Sequence, residues 1–114
     1  MPTTHLFLGD SIALMGAATG LRSIEGKLLK ADACVCDPPY NISLDGDTGK
    51  TWDTFEDTRS CTTAADDAAK FAEFTKLWAR AARTEILKPG AHVLAFSSDR
   101  TIDLVGRGLR ESGL

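Results

Sequence analysis

Apolar residues in this 114-residue chain fall into short runs divided by polar and glycine-rich stretches. The first run, His5-Leu6-Phe7-Leu8, ends at Gly9-Asp10 and predicts a strand with an acid at its carboxyl end. A helix is expected to start near Ile12, capped by Asp10 or Ser11 and weakened by Gly16 and Gly20. Residues 21–30 are ambiguous, since Ile24, Leu28 and Leu29 fit a helical turn or two but Gly26 interrupts them. Ala33-Cys34-Val35-Cys36 contains no polar residue and reads as a strand buried on both faces, the habit of parallel sheets. It ends at Asp37.

Residues 41–63 read as a long loop rich in Gly, Asp and Thr, with Trp52 and Phe55 inside it. Loops of this length in compact domains are uncommon and often functional. A helix is predicted over residues 65–87, opened by Thr63 and Asp66 in the manner of a capping box. Phe71, Phe74, Trp78, Ala81, Ala82 and Ile86 share one of its faces and read as core. Lys88-Pro89-Gly90-Ala91 should stop it in a type II turn. Val93-Leu94-Ala95-Phe96 predicts a third buried strand, ending at Ser97-Ser98-Asp99. A last helix over residues 101–111 carries Ile102, Val105 and Leu109.

Strand, helix, strand, helix, strand, helix predicts an α/β fold with a parallel sheet and helices on its faces. Each strand ends in small or acidic residues, so one edge of the sheet collects polar groups. Ligand sites of open α/β sheets lie at that edge.

Composition narrows the function. Hydrophobic residues make up 43% and charged residues 25%, ordinary for a globular domain. No apolar run approaches 18 residues, so no membrane span is expected, and no secretory signal is visible. The net charge of −3 does not make this chain the main grip on a nucleic acid. Three cysteines without framework spacing point to a reducing, cytoplasmic setting. Cys34 and Cys36 share one strand face and read as small apolar residues rather than metal ligands, so no metal is expected.

Two motifs invite chemistry. Gly49-Lys50-Thr51 looks like the end of a phosphate loop. That pattern needs a glycine where Leu44 stands, and an acidic stretch follows instead of an apolar helix, so the reading is set aside. Asp37-Pro38-Pro39-Tyr40 is stronger. Two prolines lock φ and remove two N–H donors. A rigid turn remains, offering a carboxylate and carbonyl acceptors, with an aromatic ring next to them. It can cradle a flat group that donates hydrogen bonds. The plain alternative is a turn that ends a strand, with Asp37 exposed and Tyr40 packed locally.

The ordered set of buried strand, acid, two prolines and aromatic resembles the catalytic motif of S-adenosylmethionine-dependent amino-methyltransferases, which modify adenine N6 or cytosine N4 in DNA. Leu6-Phe7-Leu8-Gly9-Asp10-Ser11 is similar to that family's opening strand, and Asn41 is frequent after its tyrosine. Trp52-Asp53 and Leu87-Lys88-Pro89-Gly90 also look like family features. A catalytic motif this early, with no cofactor glycine motif before it, resembles the family's beta order. The resemblance covers nearly the whole chain and makes it the N-terminal part of a catalytic domain with an incomplete, three-layer Rossmann-like fold of about three strands and three helices.

The resemblance implies S-adenosyl-L-methionine as cofactor and double-stranded DNA as substrate. Asp37, Pro38, Pro39 and Tyr40 would be catalytic. Asp10, at the adenine end, and Asp37 would face the cofactor. Asn41, Lys50 and Trp52 would touch DNA, and the loop would close over a flipped base. Asp10 serves equally well as a helix cap. Asp at the first motif position leans toward adenine. In the family's sheet, two strands separate the one ending at Asp10 from the one ending at Asp37. A companion chain or a C-terminal remainder is therefore expected to complete the sheet, and the isolated chain to be inactive. RNA base methylation, or an inactive remnant serving only in binding or assembly, are the rival readings.

Overall fold

The computed structural model describes residues 3–16, 21–23, 25–39 and 64–114. These form an α/β arrangement of a short helix α1 (Ser11–Met15), strand β1 (Ala31–Cys36), helix α2 (Ala64–Ala81), a π-helical turn (Ala82–Ile86), strand β2 (Leu87–Ala95) and helix α3 (Ile102–Ser112). β1 and β2 pair in parallel as a two-stranded sheet. Parallel neighbours need a long crossover, and α2 with the π-turn supplies it.

The register joins Ala33 to His92, Cys34 to Val93, Val35 to Leu94 and Cys36 to Ala95. Side chains alternate across a strand. Cys34, Cys36, Val93 and Ala95 are half-buried on one face, while Ala33, Val35, His92, Leu94 and Phe96 are exposed on the other. Val35 is 68% exposed, Leu94 58% and Phe96 52%. The expectation of strands buried on both faces is therefore corrected: among the described residues one face is exposed and the other only half-buried. α3 borders β2, where Ala91 and Val93 share a cleft with Gly106 and Leu109. α2 packs against α3.

The predicted strand over residues 5–8 is not formed. Residues 3–8 carry no regular structure, and Leu6 and Leu8 are 93% and 101% exposed. A strand needs a neighbour for its N–H and C=O groups. β1 and β2 pair with each other, and this segment pairs with neither. Residues 21–23 and 25–29, ambiguous in the sequence, form a tight antiparallel turn with a bridge between Arg22 and Leu28. Ser23 N donates to the Lys27 carbonyl at 2.8 Å, Gly26 N to the Ser23 carbonyl at 2.9 Å and Leu29 N to the Leu21 carbonyl at 2.8 Å. Gly26, with a φ of +79°, makes the turn.

The long helix runs close to its expected bounds but changes character at Ala82. There the chain widens into a π-turn closed by Leu87 N on the Ala82 carbonyl. Thr84 Oγ1 donates back to the Arg80 carbonyl at 2.9 Å, the kind of local bond that disturbs a regular helix. Beyond Leu87, β1 advances from Ala31 to Ala33 while β2 advances from Leu87 to His92. Lys88-Pro89-Gly90-Ala91 bulges out of the ladder, and Gly90 has a φ of +80°, as the third position of a type II turn requires.

The helix pair holds the core. Phe71 and Trp78 are buried, as the periodicity predicts, with Phe71 and Phe74 stacked at 6.4 Å between ring centroids. A second buried row, Ala72, Thr75, Ala79 and Ala82, faces a matching row on the third helix segment, Thr101, Val105, Gly108 and Ser112. Both rows consist mainly of small residues, so the helices approach closely. A Cβ on Gly108 would lie 2.6 Å from Thr75 Cβ and 2.9 Å from the Ala72 carbonyl oxygen. Ile102, expected in the core, is 58% exposed, because the packing row displaces it to the outside.

Two glycines of one helix therefore respond oppositely to alanine. Gly108→Ala is expected to destabilise the protein by about 1–3 kcal/mol through overpacking. Gly106→Ala meets only the Arg110 guanidinium at 3.4 Å and gains about 0.5–1 kcal/mol from helix propensity. Thermal or urea unfolding of both variants checks this. Equal shifts would show that the close helix crossing is not the constraint.

Candidate functional site

Parallel pairing brings both strands' carboxyl ends to one edge. Phe96 N donates to the Cys36 carbonyl at 3.0 Å, carrying the ladder one step past β1. Asp37-Pro38-Pro39 and Ser97-Ser98-Asp99 leave from this point side by side. Asp37 is exposed, and Pro38 and Pro39 are half-buried. The carboxylate thus faces solvent while the ring of each proline is held against the protein. Ser98 Oγ lies 2.8 Å from Thr101 Oγ1, which ties the second turn to the start of α3.

Sequence reasoning singled out Asp37 but treated Phe96 only as a strand residue. Phe96 continues the exposed row of His92 and Leu94, so it belongs to the open face at the end nearest Asp37. Counting alternation back from Ala95 would have found it.

Tyr40, Asn41, Lys50 and Trp52, together with the rest of the 41–63 loop, lie outside the described residues. Asp10 caps α1, its Oδ1 accepting from Ala13 N at 2.8 Å. α1 contacts α2 and the π-turn that leads into the amino end of β2. Asp37 leaves the carboxyl end of β1, roughly 20 Å along a six-residue strand. The structure thus shows Asp10 in its capping role, on a helix that packs against α2.

The two strand cysteines sit just beneath the site. Burial pushes the Cys36 thiol up from 9.0 to about 12, helped by the charge of Cys34, a hydrogen bond with Cys34 and the charge of Asp37. A thiol is nucleophilic as the thiolate, so the raised pKa keeps Cys36 protonated and weakly reactive at neutral pH. Among the described residues no group of three or more His, Cys, Asp or Glu side chains is placed to hold a metal ion. None of the described helices is long and apolar enough to cross a membrane.

No family model matches the chain, nor does any curated protein or solved structure.

Cys36 provides a pH test. With its pKa raised in the fold, its contribution to stability is full below about 9 and is lost as pH rises toward 12. At pH 8, iodoacetamide should alkylate Cys36 more than about tenfold slower than free cysteine, read by peptide mass mapping. Equal rates would show that the thiol is not held in its neutral form.

Proposed function

We propose that this chain carries the amine-accepting edge of an S-adenosylmethionine-dependent methyltransferase acting on the exocyclic amine of a flipped DNA base, adenine N6. The observation that carries the reading is the exposed Asp37 carboxylate at the carboxyl end of a parallel strand, followed at once by Pro38 and Pro39. It rests on these local motifs and their placement, not on similarity along the whole chain.

The chemistry suits the groups. An exocyclic amine is a weak nucleophile because its lone pair is delocalised into the ring. Two acceptors on its hydrogens draw that pair back toward nitrogen and aim it. Asp37 and the Pro38 carbonyl would be those acceptors, with Tyr40 stacked on the base. S-adenosylmethionine would supply the methyl group. Since the acceptors sit on a rigid strand end, their contribution is placement more than proton transfer. A target base inside a duplex cannot reach this edge, so it must leave the stack.

On this reading the fold is the incomplete N-terminal part of a Rossmann-like catalytic domain. Asn41, Lys50 and Trp52 would meet DNA, and Asp10 would turn from capping to the cofactor only once the missing strands bring it near. The open face of Val35, Leu94 and Phe96 supports a companion chain or a C-terminal remainder that covers it. The same open face favours a second reading, in which the chain is a remnant that serves assembly alone. A cytoplasmic location accompanies either.

In the complete protein, Asp37→Ala is expected to lower methyl incorporation from tritiated S-adenosylmethionine into DNA on the order of 10²–10³-fold. Unchanged thermal unfolding would show that the fold survives. Incorporation within about threefold of wild type would contradict the assignment, because loss of one transition-state contact costs far more.

A further inference from the structure

The amino end of the sheet carries a second feature, remote from Asp37. A cleft of about 720 Å³ opens between the β2 bulge and the ends of the π-turn and α3. Lys30, Arg83 and Lys88 line it, together with Thr84, Gly90 and Gly113. Three cations here stand out in a chain whose net charge is −3.

Their partners leave the cleft positive. Lys30 Nζ donates to the Glu85 carbonyl at 2.7 Å, and Arg83 Nε donates to the Gly113 carbonyl at 3.2 Å. Both acceptors are neutral carbonyls, and among the described residues no carboxylate side chain forms a salt bridge with either cation. Lys88 Nζ binds Asp32 Oδ1 at 2.8 Å across the first rungs of the sheet, which neutralises one of the three. Arg83 is also well placed. A Cβ on Gly113 would meet its Nε at 2.9 Å and its Nη2 at 3.2 Å, so the bare glycine lets the guanidinium lie flat against the chain. With Nε engaged by the carbonyl, the Nη pair can meet an anion as a fork, the geometry that suits phosphate oxygens. Gly90 leaves its side of the rim open, with no heavy atom within 4 Å of a Cβ built on it.

We propose that this cleft binds a phosphate-bearing small molecule of nucleotide size, with Arg83 and Lys30 holding the phosphate. Its volume is that of a small-molecule site, within the usual range of about 300–1,000 Å³. β1, roughly 20 Å long, separates it from the Asp37 edge. The proposal is independent of the methyltransferase reading.

Calorimetric titration of the full chain with inorganic phosphate, ADP and a duplex oligonucleotide tests it. Saturable binding of ADP is expected, with inorganic phosphate competing. Arg83→Gln and Lys30→Gln should each weaken ADP binding about tenfold, as loss of a charge-assisted contact does. Asp37→Ala should leave it unchanged. Thermal midpoints equal to wild type would show that both cleft variants fold. Absence of saturable ADP binding, wild-type affinity in folded Arg83→Gln and Lys30→Gln, or binding of the duplex alone would each overturn the proposal.

Discussion

The parallel pairing of β1 with β2 is the constraint on which the other features depend. Two neighbouring parallel strands cannot be joined by a tight turn, so the chain must cross back along the sheet. α2 and the π-turn make that crossing, and α3 follows onto the same helical layer. The two helices pack chiefly against each other. The small-residue rows around Thr75 and Gly108 let them approach closely. The other face of the sheet receives no cover from the described residues, and Val35, Leu94 and Phe96 stay exposed there.

The same pairing makes the site. Because both strands run in one direction, their carboxyl ends meet, and Asp37-Pro38-Pro39 emerges beside Ser97-Ser98. The opposite edge collects different chemistry. There the bulge at Lys88-Pro89-Gly90-Ala91 and the end of α3 gather Lys30, Arg83 and Lys88, the last of them paired with Asp32. The sheet thus separates the Asp37 end from a more basic one, with the half-buried Cys34 and Cys36 between them.

Much of this was legible in the sequence where a signal was local. The unbroken apolar run into Asp37, the Asp10 cap and the Pro-Gly stop after the long helix each state their own geometry. Aromatics at helical spacing gave Phe71 and Trp78 as core for the same reason. What failed depended on partners elsewhere in the chain. Residues 5–8 have the composition of a strand but no described neighbour to pair with. Burial of β1 and β2 on both faces was inferred from apolarity alone, which cannot say whether a second helical layer exists. The Ala72, Thr75 and Ala79 row was overlooked because small residues carry little hydrophobic signal, although they set how near two helices can come. At the site, Phe96 was hidden by being read as one more core residue, and the basic cleft by the distance in sequence between Lys30 and Arg83.

The central claim is that Asp37 accepts hydrogen bonds from the exocyclic amine of a target base. It can be measured on the carboxylate itself. With ¹³C-labelled aspartate, the Asp37 side-chain resonance is assigned by its loss in Asp37→Asn, and single-stranded oligonucleotides are titrated in. An oligonucleotide bearing adenine should shift that resonance. One bearing N6,N6-dimethyladenine, which stacks alike but has no N–H to donate, should not. A resonance unmoved by adenine, or moved equally by both, would contradict the account.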